Sequence, residues 1–192
     1  MPDMGRRLPL YAHPQVFGPK RWEGLSIGTP ITREEAGEKY DLHLTRGPQK
    51  LSEHLTLLGE IPRENDFESQ EPIGERYVKG VWEPDYVWDD TAIAYHGPDG
   101  LTIITGCSHS GIVNITEYAK KVCGDDRICG IIGGLHLLSE TMDRQTERTV
   151  DWMRWQRPKN LRPCHCTGFY ARAAIHAAVP IRETCVGDVI EF

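Results

Sequence analysis

The sequence predicts an α/β domain in which a mixed β-sheet is flanked by helices, and three observations predict it. From about residue 91 onward, short runs rich in isoleucine, valine and threonine alternate with stretches of helical periodicity. Three of those runs end in glycine-bearing loops that lead into the next helical stretch. The chain has 192 residues, 39% hydrophobic and 26% charged, which suits one globular domain with a core of its own.

The elements follow in order. Residues 8–12 read as a short strand ended by His13-Pro14. Thr32-Arg33-Glu34-Glu35 has the form of a capping box, so a short helix is expected from there to about Lys39. Residues 41–45 and 54–58 alternate apolar and polar side chains and are expected to be strands. Residues 59–88 are rich in proline, glycine and charge and read as one long loop. Trp82, Tyr86 and Trp88 sit in it, either packed on the core or forming a wall of a substrate pocket.

Residues 91–95 and 101–105 are expected to pair through a turn at Gly97-Pro98-Asp99-Gly100. A helix with Ile112, Ile115, Ala119 and Val122 on one stripe should follow and stop at Gly124. Residues 127–132 form the next strand, and residues 143–156 the next helix, stopped by Pro158. Residues 161–163, a helix over 169–178, and short strands over 181–184 and 188–192 complete the reading. Three strand–loop–helix units in a row put helices against a sheet and the loops along one edge.

Composition excludes some functions. A formal charge of −6 argues against nucleic acid or an anionic membrane as the main partner. No apolar run approaches the roughly 20 residues that span a bilayer. Arg6 and Arg7 are followed by no apolar stretch, so no signal peptide is expected. The six cysteines (Cys107, Cys123, Cys129, Cys164, Cys166, Cys185) lack the spacing of a disulfide scaffold, and reduced thiols in a cytoplasmic protein are expected.

The chemistry sits in the three loops, Thr105-Gly-Cys-Ser-His109, Gly133-Gly-Leu-His136-Leu and Cys164-His165-Cys-Thr-Gly168. Each carries a histidine just beyond a strand. Histidines from such loops can converge on one point of the sheet edge, and neutral imidazole is a common metal ligand. Gly111, at a helix start, offers free N–H groups suited to an anion such as phosphate. Cys164-His165-Cys166 in succession is poor chelate geometry on an extended chain, where neighbours point to opposite faces.

Several runs together resemble one branch of the metallo-β-lactamase superfamily: Asp89-Asp90, the stretch from Gly100 through Gly106-Cys107-Ser108-His109-Ser110-Gly111 to Asn114, Gly133-Gly134-Leu135-His136-Leu137, and Pro163-Cys164-His165-Cys166-Thr167-Gly168. Gly59-Glu60-Ile61-Pro62-Arg63, Phe67-Glu68 and Leu10-Tyr11-Ala12-His13-Pro14 match it as well. That branch contains the dihydropterin-methyl-(ribofuranosyl)aminobenzene-phosphate synthases and related metal-dependent hydrolases. The resemblance implies an αββα sandwich of which residues 1–192 form the C-terminal half. The family's His-x-His-x-Asp-His motif is absent, which reads as an N-terminally truncated single domain.

The resemblance also implies a site. His165 matches the late histidine ligand, and Cys107 stands where many relatives carry a metal-bridging aspartate. His109, His165, His136 and Cys107 are thus the expected ligands of one or two divalent metal ions, zinc above all, in a site incomplete in this chain. Asp89, Asp90, Ser108 and Thr167 are expected in substrate-binding or supporting roles. The implied function is hydrolysis of an ester- or phosphoester-like, pterin-related small molecule by metal-activated water. The alternative is a non-catalytic half-domain. An open sheet face further implies a partner, either a second copy of the chain or a complementing N-terminal half.

Overall fold

The computed structural model describes residues 7–191. The reading of residues 1–6 as free of a leader, and the last residue of the strand expected over 188–192, lie outside the described residues. Among the described residues, twelve strands and four helices run in the order β1 (Pro9–Ala12), β2 (Lys20–Trp22), β3 (Leu25–Ser26), α1 (Arg33–Lys39), β4 (Asp41–Leu44), β5 (Gln49–Lys50), β6 (Leu55–Leu57), β7 (Glu75–Val78), β8 (Val81–Pro84), β9 (Ala92–Gly97), β10 (Gly100–Thr105), α2 (Ile112–Cys123), β11 (Ile128–Gly133), α3 (Arg144–Gln156), β12 (Asn160–Pro163) and α4 (Phe169–Ala178).

The main sheet is mixed and six-stranded, in the order β12-β11-β10-β9-β6-β5. β10, β11 and β12 are parallel, and each is followed by a helix. β9, β6 and β5 extend the sheet as antiparallel strands. Leu101, Ile103, Ile131 and Leu161 are fully buried beneath Ile112, Ile115 and Ala119 of α2, Val150 and Met153 of α3, and Ala171 and Ile175 of α4. Each such isoleucine or leucine contributes roughly 1.5–3 kcal/mol by leaving water. This layer explains why the helical stripes in the sequence were so regular.

The other face of the sheet carries Ile93, Ile104 and Ile132 in register across three strands. Ile104 remains 37% exposed.

The caps follow the sequence. Thr32 Oγ1 accepts from Glu35 N at 3.1 Å, and Glu35 accepts from Thr32 N at 2.7 Å, completing the capping box of α1. Gly124 closes α2 in the left-handed conformation.

Three expectations need correction. The stretch 59–88 is not a structureless loop, because β7 and β8 form a hairpin within it, closed at Lys79-Gly80 with positive φ at both residues. That hairpin joins β2 and β3 in a four-stranded antiparallel sheet that sequence periodicity missed. Strands of two to four residues are too short to show a period. Residues 181–184 and 188–191 form no strand; Ile181 makes only an isolated bridge to Leu161.

Candidate functional site

The C-terminal ends of β10, β11 and β12 release the three histidine-bearing loops side by side. The loops are tied to each other laterally. Gly134 N donates to Gly106 O at 2.8 Å, Cys164 N to Gly133 O at 2.9 Å, and Gly168 N to Leu137 O at 2.8 Å. Ser108 Oγ donates to Gly134 O at 2.7 Å, and Leu135 N donates to Thr167 Oγ1 at 3.0 Å. Ser108 and Thr167 are both buried, so these hydroxyls act as braces between loops.

Close approach requires glycine here. A Cβ on Gly134 would lie 2.5 Å from Cys166 Sγ, and one on Gly133 would lie 2.2 Å from Thr105 O. One non-glycine residue in each loop sits in the left-handed region: Ser108 (φ 58°), His136 (φ 49°) and His165 (φ 52°). Each such residue costs on the order of 1–3 kcal/mol and persists only where its surroundings fix it.

The turn at His165 changes what its neighbours can do. Because the chain is not extended there, His165 and Cys166 both reach one point, and Cys107 meets them from the β10 loop. The ligand atoms of Cys107, His165 and Cys166 all lie within 4.8 Å of one another. Two sulfurs and one imidazole are a donor set that suits zinc. His165 is exposed and the two cysteines are half-buried, so the group opens to solvent. Burial and the adjacent Cys166 push the Cys107 thiol up to about 11. Cys164 is not in the group. The extended-chain objection to adjacent ligands therefore does not apply, and Cys166 is the residue that sequence reasoning passed over.

His109 and His136 form a second cluster. Their rings are 4.4 Å apart, centroid to centroid, and tilted by 59°. The Nδ1 atoms of both are buried, with no hydrogen-bonding partner among the described residues. Burial pulls both imidazoles below their ordinary titration range, in His109 against the opposing pull of Asp90. Among the described residues, the three loop histidines do not share a single coordinating group: His165 stands with the thiols, and His109 with His136.

The Asp89-Asp90 pair divides its work. Asp89 holds Lys20 Nζ at 2.5 Å, and Asp85 holds the same ammonium at 3.4 Å. Asp90 accepts from Ser110 N at 2.8 Å and so fixes the loop that carries His109. Burial pushes the Asp90 carboxyl up despite that bond.

The start of α2 is not an anion site. Glu68 is fully buried and accepts from Val113 N at 3.0 Å, Asn114 N at 2.9 Å and Asn65 Nδ2 at 2.7 Å. A carboxylate from a distant loop thus fills the position expected for phosphate beside Gly111. Asn114 Oδ1 accepts from Glu64 N and Asn65 N in return, so residues 64–68 and the helix are clamped together. The match at Phe67-Glu68 was legible in the sequence, but its partner was not.

The aromatic residues also sort differently. Tyr77 packs with Trp82, and Tyr86 with Trp88, which the Arg63 guanidinium covers at 4.0 Å. The wall beside His109 and His136 is supplied instead by Trp22 and Phe67, around a cleft of about 500 Å³.

No family model matches the chain. It is 37% identical over 163 residues to an uncharacterised protein of Methanocaldococcus jannaschii, covering 84% of this chain and 59% of that protein. It is 32% identical over 180 residues to the 7,8-dihydropterin-6-methyl-4-(beta-D-ribofuranosyl)-aminobenzene-5'-phosphate synthase of the same organism, covering 89% of this chain and 61% of the synthase. The chain thus spans about three fifths of the length of these curated relatives. The crystal structure of a metal-dependent hydrolase of the β-lactamase superfamily superposes with a TM-score of 0.82 at 23% identity, over 96% of this chain and 71% of that one. The chain therefore has the fold of that hydrolase. No helix among the described residues is long and apolar enough to cross a membrane.

Proposed function

We propose that this metallo-β-lactamase-fold chain carries the metal-binding loops of a metal-dependent hydrolase-like enzyme acting on an ester- or phosphoester-like, pterin-related small molecule. The observation that carries the reading is the convergence of Cys107, His165 and Cys166 at the joint C-terminal edge of three parallel strands. Those three side chains hold a divalent metal, with zinc favoured by two sulfur donors. His109 and His136, with their unpartnered buried nitrogens, are the donors available to a second ion. When bound, the metal supplies a water of lowered pKa and a Lewis-acid contact for a phosphoryl or ester oxygen.

The chain's own residues prepare that chemistry. Ser108 and Thr167 lock the loops to one another, so the ligands are held before metal arrives. Asp90 fixes the backbone beside His109 by accepting from Ser110 N. The pterin relation rests on the synthase relative. Six free cysteines fit a reducing compartment such as the cytoplasm.

A second reading, a half-domain that is inactive until a partner chain completes it, is favoured by the exposed Ile104 on the uncovered sheet face. The partner is then a second copy or a complementing N-terminal half.

Elemental analysis of the purified chain tests the metal reading. Stoichiometric zinc is expected, falling to background in the Cys107→Ser, His165→Ala, Cys166→Ser triple variant. Equal metal in both proteins overturns the assignment. Size-exclusion chromatography with light scattering reads the second copy directly.

A further inference from the structure

The two sulfurs at the loop rim belong to loops that are not neighbours. Cys107 follows β10 and Cys166 follows β12, and β11 runs between those strands. Strands two places apart in a sheet stand roughly 10 Å from each other. The side chains nevertheless meet, because they close over a glycine just beyond β11. A Cβ on Gly134 would lie 2.5 Å from Cys166 Sγ and 3.4 Å from Cys107 Cα. Cys166 Sγ donates to Cys107 O at 3.5 Å, and the two Sγ atoms lie within 4.8 Å of each other.

A disulfide brings its sulfurs to about 2 Å. The gap to be closed is therefore less than about 3 Å, the distance by which one change of rotamer moves a cysteine sulfur. The loop backbones on either side are fixed at their spacing by the bonds from Gly134 N to Gly106 O and from Cys164 N to Gly133 O. Both thiols are free and half-buried, and the exposed His165 beside them leaves the pair open to small solutes. Proximity, a free thiol on each side and access for an oxidant are what a reversible disulfide requires.

We propose that Cys107 and Cys166 are a redox-active pair, joined by a hydroperoxide into an intramolecular disulfide, and that disulfide and metal exclude each other at this site. The first sulfur to react attacks one peroxide oxygen. The O–O bond breaks, a water leaves with the thiol proton, and the sulfur becomes a sulfenic acid. The second sulfur attacks the sulfenic sulfur; the S–S bond forms, the S–O bond breaks and a second water leaves. The two cysteines lose two electrons and the peroxide gains them. From the zinc-bound pair of thiolates, the two protons come from solvent and the zinc ion departs. Metals bind thiolates, so the disulfide removes both sulfur donors and leaves His165 as the last member of the group. A thiol reductant reverses the step. The exclusion rests on the metal reading; the disulfide does not.

Treatment of the purified 192-residue chain with hydrogen peroxide, zinc-loaded and zinc-free, tests this. Thiols are counted in denaturant, released zinc is read with a chelating dye, and linked peptides are identified by mass spectrometry. Two of the six thiols are expected to disappear, with the Cys107 and Cys166 peptides joined, one zinc released for each pair lost, and both thiols restored by dithiothreitol. Cys166→Ser is expected to form no link at Cys107. Cys164→Ser and Cys185→Ser are expected to behave as the wild type, and far-ultraviolet circular dichroism checks that all three variants fold. A link between Cys164 and Cys166, sulfinic acid in place of a link, or full zinc retention in the linked chain overturns the proposal. If zinc binds and no link forms, the redox pair falls and the metal reading stands. If the link forms in a chain that takes no zinc, the pair stands and the metal reading falls.

Discussion

The loop rim and the four-stranded accessory sheet both place non-glycine residues at positive φ, but for different reasons. In the accessory sheet these are Glu23 and Lys79, each followed by a glycine also at positive φ. They are the first central residues of two-residue hairpin turns, where strand twist favours this conformation. In the rim, Ser108, His136 and His165 belong to no hairpin, and buried hydroxyls and backbone bonds from neighbouring loops surround them. Strain in the first region is ordinary turn geometry. Strain in the second is held by tertiary contacts, and it points His165 and Cys166 at one spot.

The energetics differ in the same way. The accessory ion pairs Arg21–Glu75 and Arg76–Glu83 are partly exposed, and such pairs contribute about 0–1 kcal/mol. The Glu68 clamp on α2 is fully buried, so loss of its acceptors is not made good by water.

The comparison can be broken most sharply at Gly111. Its φ is 92°, and an added Cβ would lie 2.2 Å from Glu68 Cδ. Gly111→Ala is expected to cost more than about 3 kcal/mol and to lower zinc content together with thermal stability. Retention of full metal content in a destabilised variant would separate the clamp from the site. Glu68→Gln comes next, at about 2 kcal/mol, because Val113 N and Asn114 N donate to different carboxylate oxygens and the amide replaces one of these acceptors with a donor. Urea denaturation measures it, and a change below about 0.5 kcal/mol would show that the clamp is dispensable.

Thr32→Ala removes one capping bond of α1, which packs on β4 away from the loop rim, and is expected to cost about 1 kcal/mol while leaving zinc content untouched. A fall in metal would mean that α1 is coupled to the rim more tightly than its contacts imply. The smallest expected effect concerns His13. Burial lowers its pKa, outweighing the hydrogen bond to Glu60. The native chain then resists a proton that the unfolded chain accepts below about pH 6.5, so stability falls as pH drops through that range. Denaturation midpoints at two pH values in wild type and His13→Gln test it; the variant should lose part of the slope, and an unchanged slope rejects the assignment.

Much of the fold was legible because the main sheet and its helices are long enough to carry a period. The stripe Ile112, Ile115, Ala119 announced α2, and Thr32 with Glu35 announced α1. The accessory sheet was hidden, since β2 and β3 have three and two residues and turn chemistry alone marks them. At the site, His109, His136 and His165 could be singled out from their places after strands, and Cys107 from the family resemblance. Cys166 could not, because adjacent residues share a focus only when the backbone turns between them.

By itself the sequence determined the α/β grammar, the three loops and the residue types available to bind metal, because these depend on local period, glycine placement and side-chain chemistry. Only the tertiary structure decided that the histidines divide into two clusters, that Glu68 takes the helix terminus from any anion, and that Trp22 borders the cleft beside His109. Each of those is a contact between residues at least 27 positions apart or a matter of backbone handedness at one residue, and chain order carries no direct trace of either.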